Sequence, residues 1–256
     1  MADRIFSIAA NTFRETIRNK ILYAILAFAL LVIGLSYFLA DLSVGELTRI
    51  IADVGLASIH IFGVIMAIFI GITLVSNEVE RKTIYLILSR PVPRWEFVTG
   101  KMIGLCGTLA MTTLIMAGTL FLVHAGYGGH PEIGIFIASA GIYMELILLT
   151  CLASLFSTIT TPVLSAIFTL SMFLIGHVSR DLVFFGGRAG SEVVRWASRL
   201  LFYLLPNLEH FNWKNEVVYG EARSLALVSG GVGYLLFYCA AVMTLACLLF
   251  SRKDLK

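Results

Sequence analysis

Six blocks of apolar residues, each close to the length needed to cross a lipid bilayer, constrain this chain more than any other feature. They run Ile21–Ala40, Val54–Ser76, Met102–Ala125, Ile133–Ser157, Pro162–Val178 and about Ser229–Phe250. A helix rises ~1.5 Å per residue, so some twenty residues span a ~30 Å hydrocarbon core. The blocks are continuous and lack the alternation of a lipid-facing barrel strand. Helices are then the structure that satisfies every backbone donor and acceptor in lipid. Composition agrees, because 59% hydrophobic and 14% charged residues fall well short of the ~25% charged share of a soluble domain. The expected fold is an all-α membrane protein of six transmembrane helices, forming a single domain over residues 1–256. The fifth block is the shortest, and its end runs through Gly176 and His177 into Arg180 and Asp181.

Lysine and arginine orient these spans. Arg4, Arg14, Arg18 and Lys20, then Arg81, Lys82, Arg90, Arg94 and Lys101, then Arg252, Lys253 and Lys256 place twelve positive residues on one face. The opposite face has Arg49 in its first loop and none between the third and fourth spans. Arg180, Arg188, Arg195, Arg199, Lys214 and Arg223 all fall in the long fifth-to-sixth region, and long translocated regions count little in the positive-inside rule. Both termini are therefore expected in the cytoplasm. The first twenty residues do not read as a secretory signal, since they form a polar, periodic segment without a cleavage site. Ile5, Ala9, Phe13 and Ile17 recur about every fourth residue while Arg14, Glu15, Arg18 and Asn19 extend the polar side, as in an interfacial helix.

Between the second and third spans lies the charged stretch Asn77–Lys101, NEVERKTIYLILSRPVPRWEFVTGK. Glu78, Glu80, Arg81 and Lys82 are expected to begin an amphipathic helix continued by Ile84, Tyr85, Ile87 and Leu88. Pro91 and Pro93 stop it, which predicts a rigid turn over Ser89–Arg94 before Trp95 and Phe97 re-enter the interface. Such a segment either passes motion from a soluble partner into the spans or is a solvated loop carrying positive-inside charge.

The pattern E-x-E-R-K-T-I-x-x-x-L-S-R-P-V-x-R-x-E-F-x-x-G-K over Glu78–Lys101 brings in a resemblance. With an N-terminal interfacial helix, two spans before the pattern, four after it and a terminal S-R-K-D-L, the chain resembles the permease subunits of bacterial ABC-2 type exporters. It is most similar to the single-domain permeases that include those of nitrous oxide reductase maturation, a copper-handling group. Leu205–Phe211, LPNLEHF, also looks like the end of the outer region in this group. The resemblance implies a half-transporter of the bacterial or archaeal cytoplasmic membrane that pairs with a second copy or a close relative. Each copy would rest its coupling segment on a separate ABC ATPase subunit, two in all, through Glu78, Glu80, Arg81, Arg90 and Arg94. ATP and Mg2+ would belong to that partner, and no cofactor to this chain, which has no G-x-x-x-x-G-K-[ST] phosphate loop. A periplasmic partner is an expectation of the same kind, and no nucleic-acid partner is expected.

Residues 179–228 depart from the simplest family pattern by their length. Val193, Val194, Trp196, Ala197, Leu200, Leu201 and Leu204 form an apolar face beside Glu192, Arg195 and Arg199, expected to lie at the outer interface. Trp196 and Leu200 are candidates for an outer gate, with a plain interfacial helix as the alternative. Glu145 falls in the middle of the fourth span, where an acidic group costs roughly 2.5–3.5 kcal/mol on insertion scales and must face protein or water. It is a candidate for the translocation path with His60. The alternative for Glu145 is an interhelical hydrogen bond, to a hydroxyl or to neighbours on the Tyr143 side, that only orders the bundle. His124 is a lone histidine near the end of the third span.

No metal site is expected. Cys106, Cys151, Cys239 and Cys247 lack C-x-x-C spacing, the eight methionines form no M-x-x-M pair, and soft-metal ligation would need these residues to converge in space. Gly100, Gly104 and Gly107, with Gly126–Gly129 and Gly230, Gly231 and Gly233, read as close-packing seams. A secondary transporter would carry internal repeats and midplane charge pairs, and an intramembrane enzyme a convergent histidine and carboxylate set. A membrane anchor within a larger complex shares all the features above. The cargo is not encoded in any pattern of the sequence.

Overall fold

The computed structural model of the protein describes residues 2–41, 47–80, 93–126, 133–188, 192–214 and 225–252. Those residues form eight α-helices and one 3-10 turn, with no strand among them. The helices are α1 (Ala2–Ile17), α2 (Lys20–Asp41), α3 (Leu47–Glu80), α4 (Arg94–Gly126), α5 (Gly134–Ile159), α6 (Pro162–Arg188), α7 (Glu192–Leu204) and α8 (Leu225–Arg252). Six of them, α2 to α6 and α8, contain stretches long and apolar enough to cross a membrane.

Burial sorts the six. The apolar windows of α3 and α5 are each 67% buried, against 17% for α8 and 22% for α6, so α3 and α5 are the axis of the bundle. Small residues let them approach. A Cβ on Gly63 would lie 2.7 Å from a Leu146 methyl, and one on Gly71 would lie 2.6 Å from the Ala153 Cβ, so these two backbones meet where side chains larger than hydrogen do not fit. The Ser157 hydroxyl donates across the same seam to the Ile72 carbonyl at 3.0 Å. Around the axis, α2 packs on α3 with Phe28 edge-on to Phe62 at 5.5 Å, and α4, α6 and α8 cover α5. Most buried hydroxyls on these helices bond to carbonyls three or four residues earlier, as Thr108, Thr150, Thr158 and Thr169 do. They are satisfied within their own helix.

The amphipathic α1 lies on α4. Ala9 and Thr12 are buried and Arg14, Glu15 and Arg18 exposed, as the fourfold spacing predicts. The glycines Gly100 and Gly104 form the seat, because a Cβ on Gly104 would lie 2.5 Å from the Ala9 carbonyl oxygen. A close-packing seam read from the sequence thus receives the N-terminal helix itself.

At the same face α3 runs on as helix to Glu80, past the end of its apolar span at Thr73, and α4 begins at Arg94, one residue ahead of its own span. Glu78 and Glu80 therefore end the second span's helix, where a separate amphipathic helix was expected to begin. Arg94 starts the third span's helix, so Trp95 and Phe97 sit on its first turns. Pro93 stands just ahead of this helix, where proline is tolerated, and its carbonyl accepts from Glu96 N at 3.0 Å. Arg81 and Arg90 lie outside the described residues.

At the other face, α6 continues through Gly176, His177, Arg180 and Asp181 to Arg188, and α7 packs on it. After α7 the chain turns inward. Residues 205–214 enter the bundle, with Pro206, Asn207, Leu208, Phe211 and Trp213 buried. Asn207 holds the 3-10 turn Leu208–Phe211 by accepting from Glu209 N at 3.2 Å, while its own N–H donates to the Tyr234 hydroxyl at 2.9 Å. Two glycines make room for this plug: a Cβ on Gly141 would lie 2.6 Å from the Phe211 carbonyl oxygen, and one on Gly176 would lie 2.9 Å from that of Pro206.

Candidate functional site

The plug delivers Lys214 to a polar cluster inside the bundle. Glu145 on α5 is 1% exposed and His60 on α3 8%, so both are shut off from bulk solvent. Counting helix rise, both sit roughly 15–20 Å below the ends at which α3 and α5 begin. His60 Nε2 lies 3.0 Å from both Glu145 carboxylate oxygens. Its other nitrogen, Nδ1, is in hydrogen-bond contact with Lys214 Nζ. An ammonium only donates, so Nδ1 is the acceptor and the ring hydrogen is on Nε2, donated to Glu145. The result is a relay from ammonium through imidazole to carboxylate. One positive and one negative charge cancel across a neutral ring, the condition under which a buried carboxylate is tolerated in a low-dielectric bundle. Burial pushes the Lys214 ammonium below its ordinary range, and Glu145 and Glu209 oppose that shift.

His177 completes the cluster from α6. Its Nε2 is 3.7 Å from Glu145 Oε1 and its Nδ1 is 3.2 Å from the Phe173 carbonyl one turn earlier. The His60 and His177 rings are 5.5 Å apart, and the Phe173 ring lies within 5.4 Å of both. Three spans and the plug thus contribute one polar side chain each to one point.

The two path residues read from the sequence, Glu145 and His60, are partners. The alternative for Glu145, an interhelical hydrogen bond that orders the bundle, has His60 as its partner, while the Tyr143 hydroxyl donates to the Cys106 carbonyl at 3.1 Å. Sequence reasoning passed over His177 and Lys214. The signal for them was indirect: a midplane carboxylate requires a cation, and Lys214 is 154 residues from His60, with nothing local to pair them. Trp196 and Leu200 are 67% and 50% exposed on α7 and do not reach the cluster. His124 is buried near the end of α4, with Nδ1 unpartnered among the described residues. Glu78, Glu80 and Arg94 stand on the prolonged ends of α3 and α4. Cys106, Cys151, Cys239 and Cys247 are all free thiols.

Two cavities of about 280 Å³ each flank the bundle. One is polar and lies among α1, α2, α3 and α4, lined by Glu15, Arg18, Asn19 and Lys101. The other is apolar and runs between α4 and α5 past Leu114, Phe136 and Tyr143. Neither is lined by Glu145.

Comparison with known proteins gives two findings. The profile described as ABC-2 family transporter protein matches residues 6–255. A curated protein of Pseudomonas aeruginosa, described as probable ABC transporter permease protein NosY, is 31% identical over 153 residues, which is 57% of this chain and 55% of that protein. The chain therefore spans about half the length of the curated relative it matches.

Proposed function

This protein belongs to the ABC-2 family of transporter proteins, whose members are membrane permease subunits of ABC transporters, and on that premise we propose that it is half of the membrane path of an ATP-driven exporter. Two copies, or one copy and a close relative, form the path, and a separate ABC ATPase subunit below each binds and hydrolyses ATP with Mg2+. The observation that carries this reading is the hairpin of α3 and α4. α3 stays helical past its apolar stretch, from Thr73 to Glu80, and α4 begins at Arg94, so the two helix ends bracket residues 81–92, which include Arg81, Lys82 and Arg90. A rigid lever of this kind transmits displacement: α3 is the axis of the bundle and holds His60, so a push on Glu78, Glu80, Arg81, Arg90 or Arg94 moves the element that carries the cluster. The clustering of lysine and arginine on the α1 face supports termini in the cytoplasm and a setting in the bacterial or archaeal cytoplasmic membrane. The α7 and plug face then looks outward, where a periplasmic partner would meet Trp196 and Leu200.

The test is affinity purification of the tagged chain from its own membrane, with mass spectrometry and ATPase assay of what accompanies it. A stoichiometric ATP-binding subunit with vanadate-sensitive hydrolysis is expected. The double substitution Glu80→Ala with Arg81→Ala should keep the complex folded and abolish the coupling of hydrolysis to transport. Recovery of the chain alone, in detergent that keeps other membrane complexes intact, would overturn the proposal. It would favour a carrier driven by an ion gradient, for which the buried Lys214–His60–Glu145 relay is the supporting observation.

A further inference from the structure

The geometry of His177 sets up an unresolved contact. A backbone carbonyl only accepts, so His177 Nδ1, 3.2 Å from the Phe173 oxygen, carries the ring hydrogen, and Nε2 of the neutral ring presents a lone pair. That lone pair faces Glu145 Oε1 at 3.7 Å, acceptor against acceptor and too far apart for a hydrogen bond. The gap is instead open to a cation. His60, Glu145 and His177 each offer one ligand atom, and these atoms lie within 4.8 Å of one another.

We infer that His60, Glu145 and His177 form a binding site for a divalent transition-metal ion of the zinc class, whose occupancy excludes Lys214 from its seat on His60. Two imidazoles and one carboxylate are the donor set of three-ligand zinc sites, which keep one position open. The hydrogen bond from His177 to the Phe173 carbonyl is the support that such histidines carry on the nitrogen away from the ion. Competition with Lys214 follows from the hydrogens. An ion on His60 Nε2 requires the ring hydrogen on Nδ1, which then points a donor at a donor. The Lys214 ammonium must swing away, and charge repulsion from the ion acts in the same direction. The ion thus substitutes for the ammonium as the counter-charge of Glu145 and loosens the hold of residues 205–214 on the bundle. The sequence showed no metal spacing because the three ligands lie on three different helices.

The experiment titrates Co2+ into the full-length chain in lipid nanodiscs, without the ATPase, and follows its visible absorption band. One Co2+ per chain is expected, with the band bleached by one equivalent of Zn2+. Glu145→Gln and His177→Gln should each weaken binding by more than the roughly 10–100-fold typical of losing a supporting group. Lys214→Met should tighten it, a gain that misfolding cannot produce. No saturable Co2+ at one equivalent in the unmodified chain, or binding that survives both Glu145→Gln and His177→Gln, would overturn the inference. Because the chain is measured alone, either failure leaves the permease reading standing.

Discussion

Glu145 is the residue on which the interior of this protein turns. With 1% of its surface exposed, its carboxylate depends on Lys214, reached through His60, for a counter-charge. Removing one partner of a buried pair typically costs about 3–5 kcal/mol, because the other is left uncompensated. Lys214→Met in the presence of chelator should therefore lower the thermal midpoint of the detergent-solubilised chain markedly. Adding Glu145→Gln to it should recover part of the loss, since the uncompensated charge is then gone. Thermal unfolding of the two single variants and the double variant, followed by tryptophan fluorescence, measures the coupling. Additive losses would show that Lys214 and Glu145 do not interact. The candidate site was half legible at this scale. A midplane acid and a midplane histidine stand out in any apolar run, so Glu145 and His60 could be named. His177 sits where a span frays into charged residues, and Lys214 sits among loop lysines and arginines; neither looks unusual until the chain folds back.

Among the elements, the plug at residues 205–214 depends on absent side chains. Gly141 lets Phe211 and Trp213 approach α5, and the obstruction a side chain would meet there includes backbone that cannot move aside. Gly141→Val should expel the plug and expose Trp213. In a chain with Trp95 and Trp196 replaced by phenylalanine, acrylamide quenching of Trp213 should rise several-fold. Gly118→Val is the matched control, because a Cβ at Gly118 meets nothing within 4 Å, and it should leave quenching unchanged. Equal quenching in both variants would mean that the plug does not need Gly141. Spans, by contrast, were legible almost to their ends, since twenty apolar residues in lipid have one backbone solution. What periodicity misplaced was the start of α4 and the end of α3. Polar residues there mark the limit of the apolar phase, and a helix passes through that limit as long as its hydrogen-bond ladder is unbroken.

Taken whole, the molecule leaves its outer spans bare. The windows of α2, α6 and α8 are only 17–28% buried, and Phe28, Leu174 and Phe237 are 57%, 58% and 80% exposed. Lipid covers such surface, and so does a second copy. If two copies meet through the first and fifth spans, α2 and α6, then Leu174→Cys in a chain whose four native cysteines are replaced by alanine should form an intermolecular disulfide in native membranes. Phe237→Cys on α8 should not. Cross-linking through Phe237→Cys alone would place the contact on the opposite spans. By itself the sequence determined the class of fold, the number of spans and one mid-span acid that must face protein or water. These are one-dimensional consequences of moving apolar and charged groups between water and lipid. The tertiary structure alone decided which spans form the axis, where the N-terminal helix docks and which cation answers Glu145. Those depend on contacts between residues 82 to 154 positions apart, and transfer energies carry no information about which of many lysines, histidines and glycines will meet.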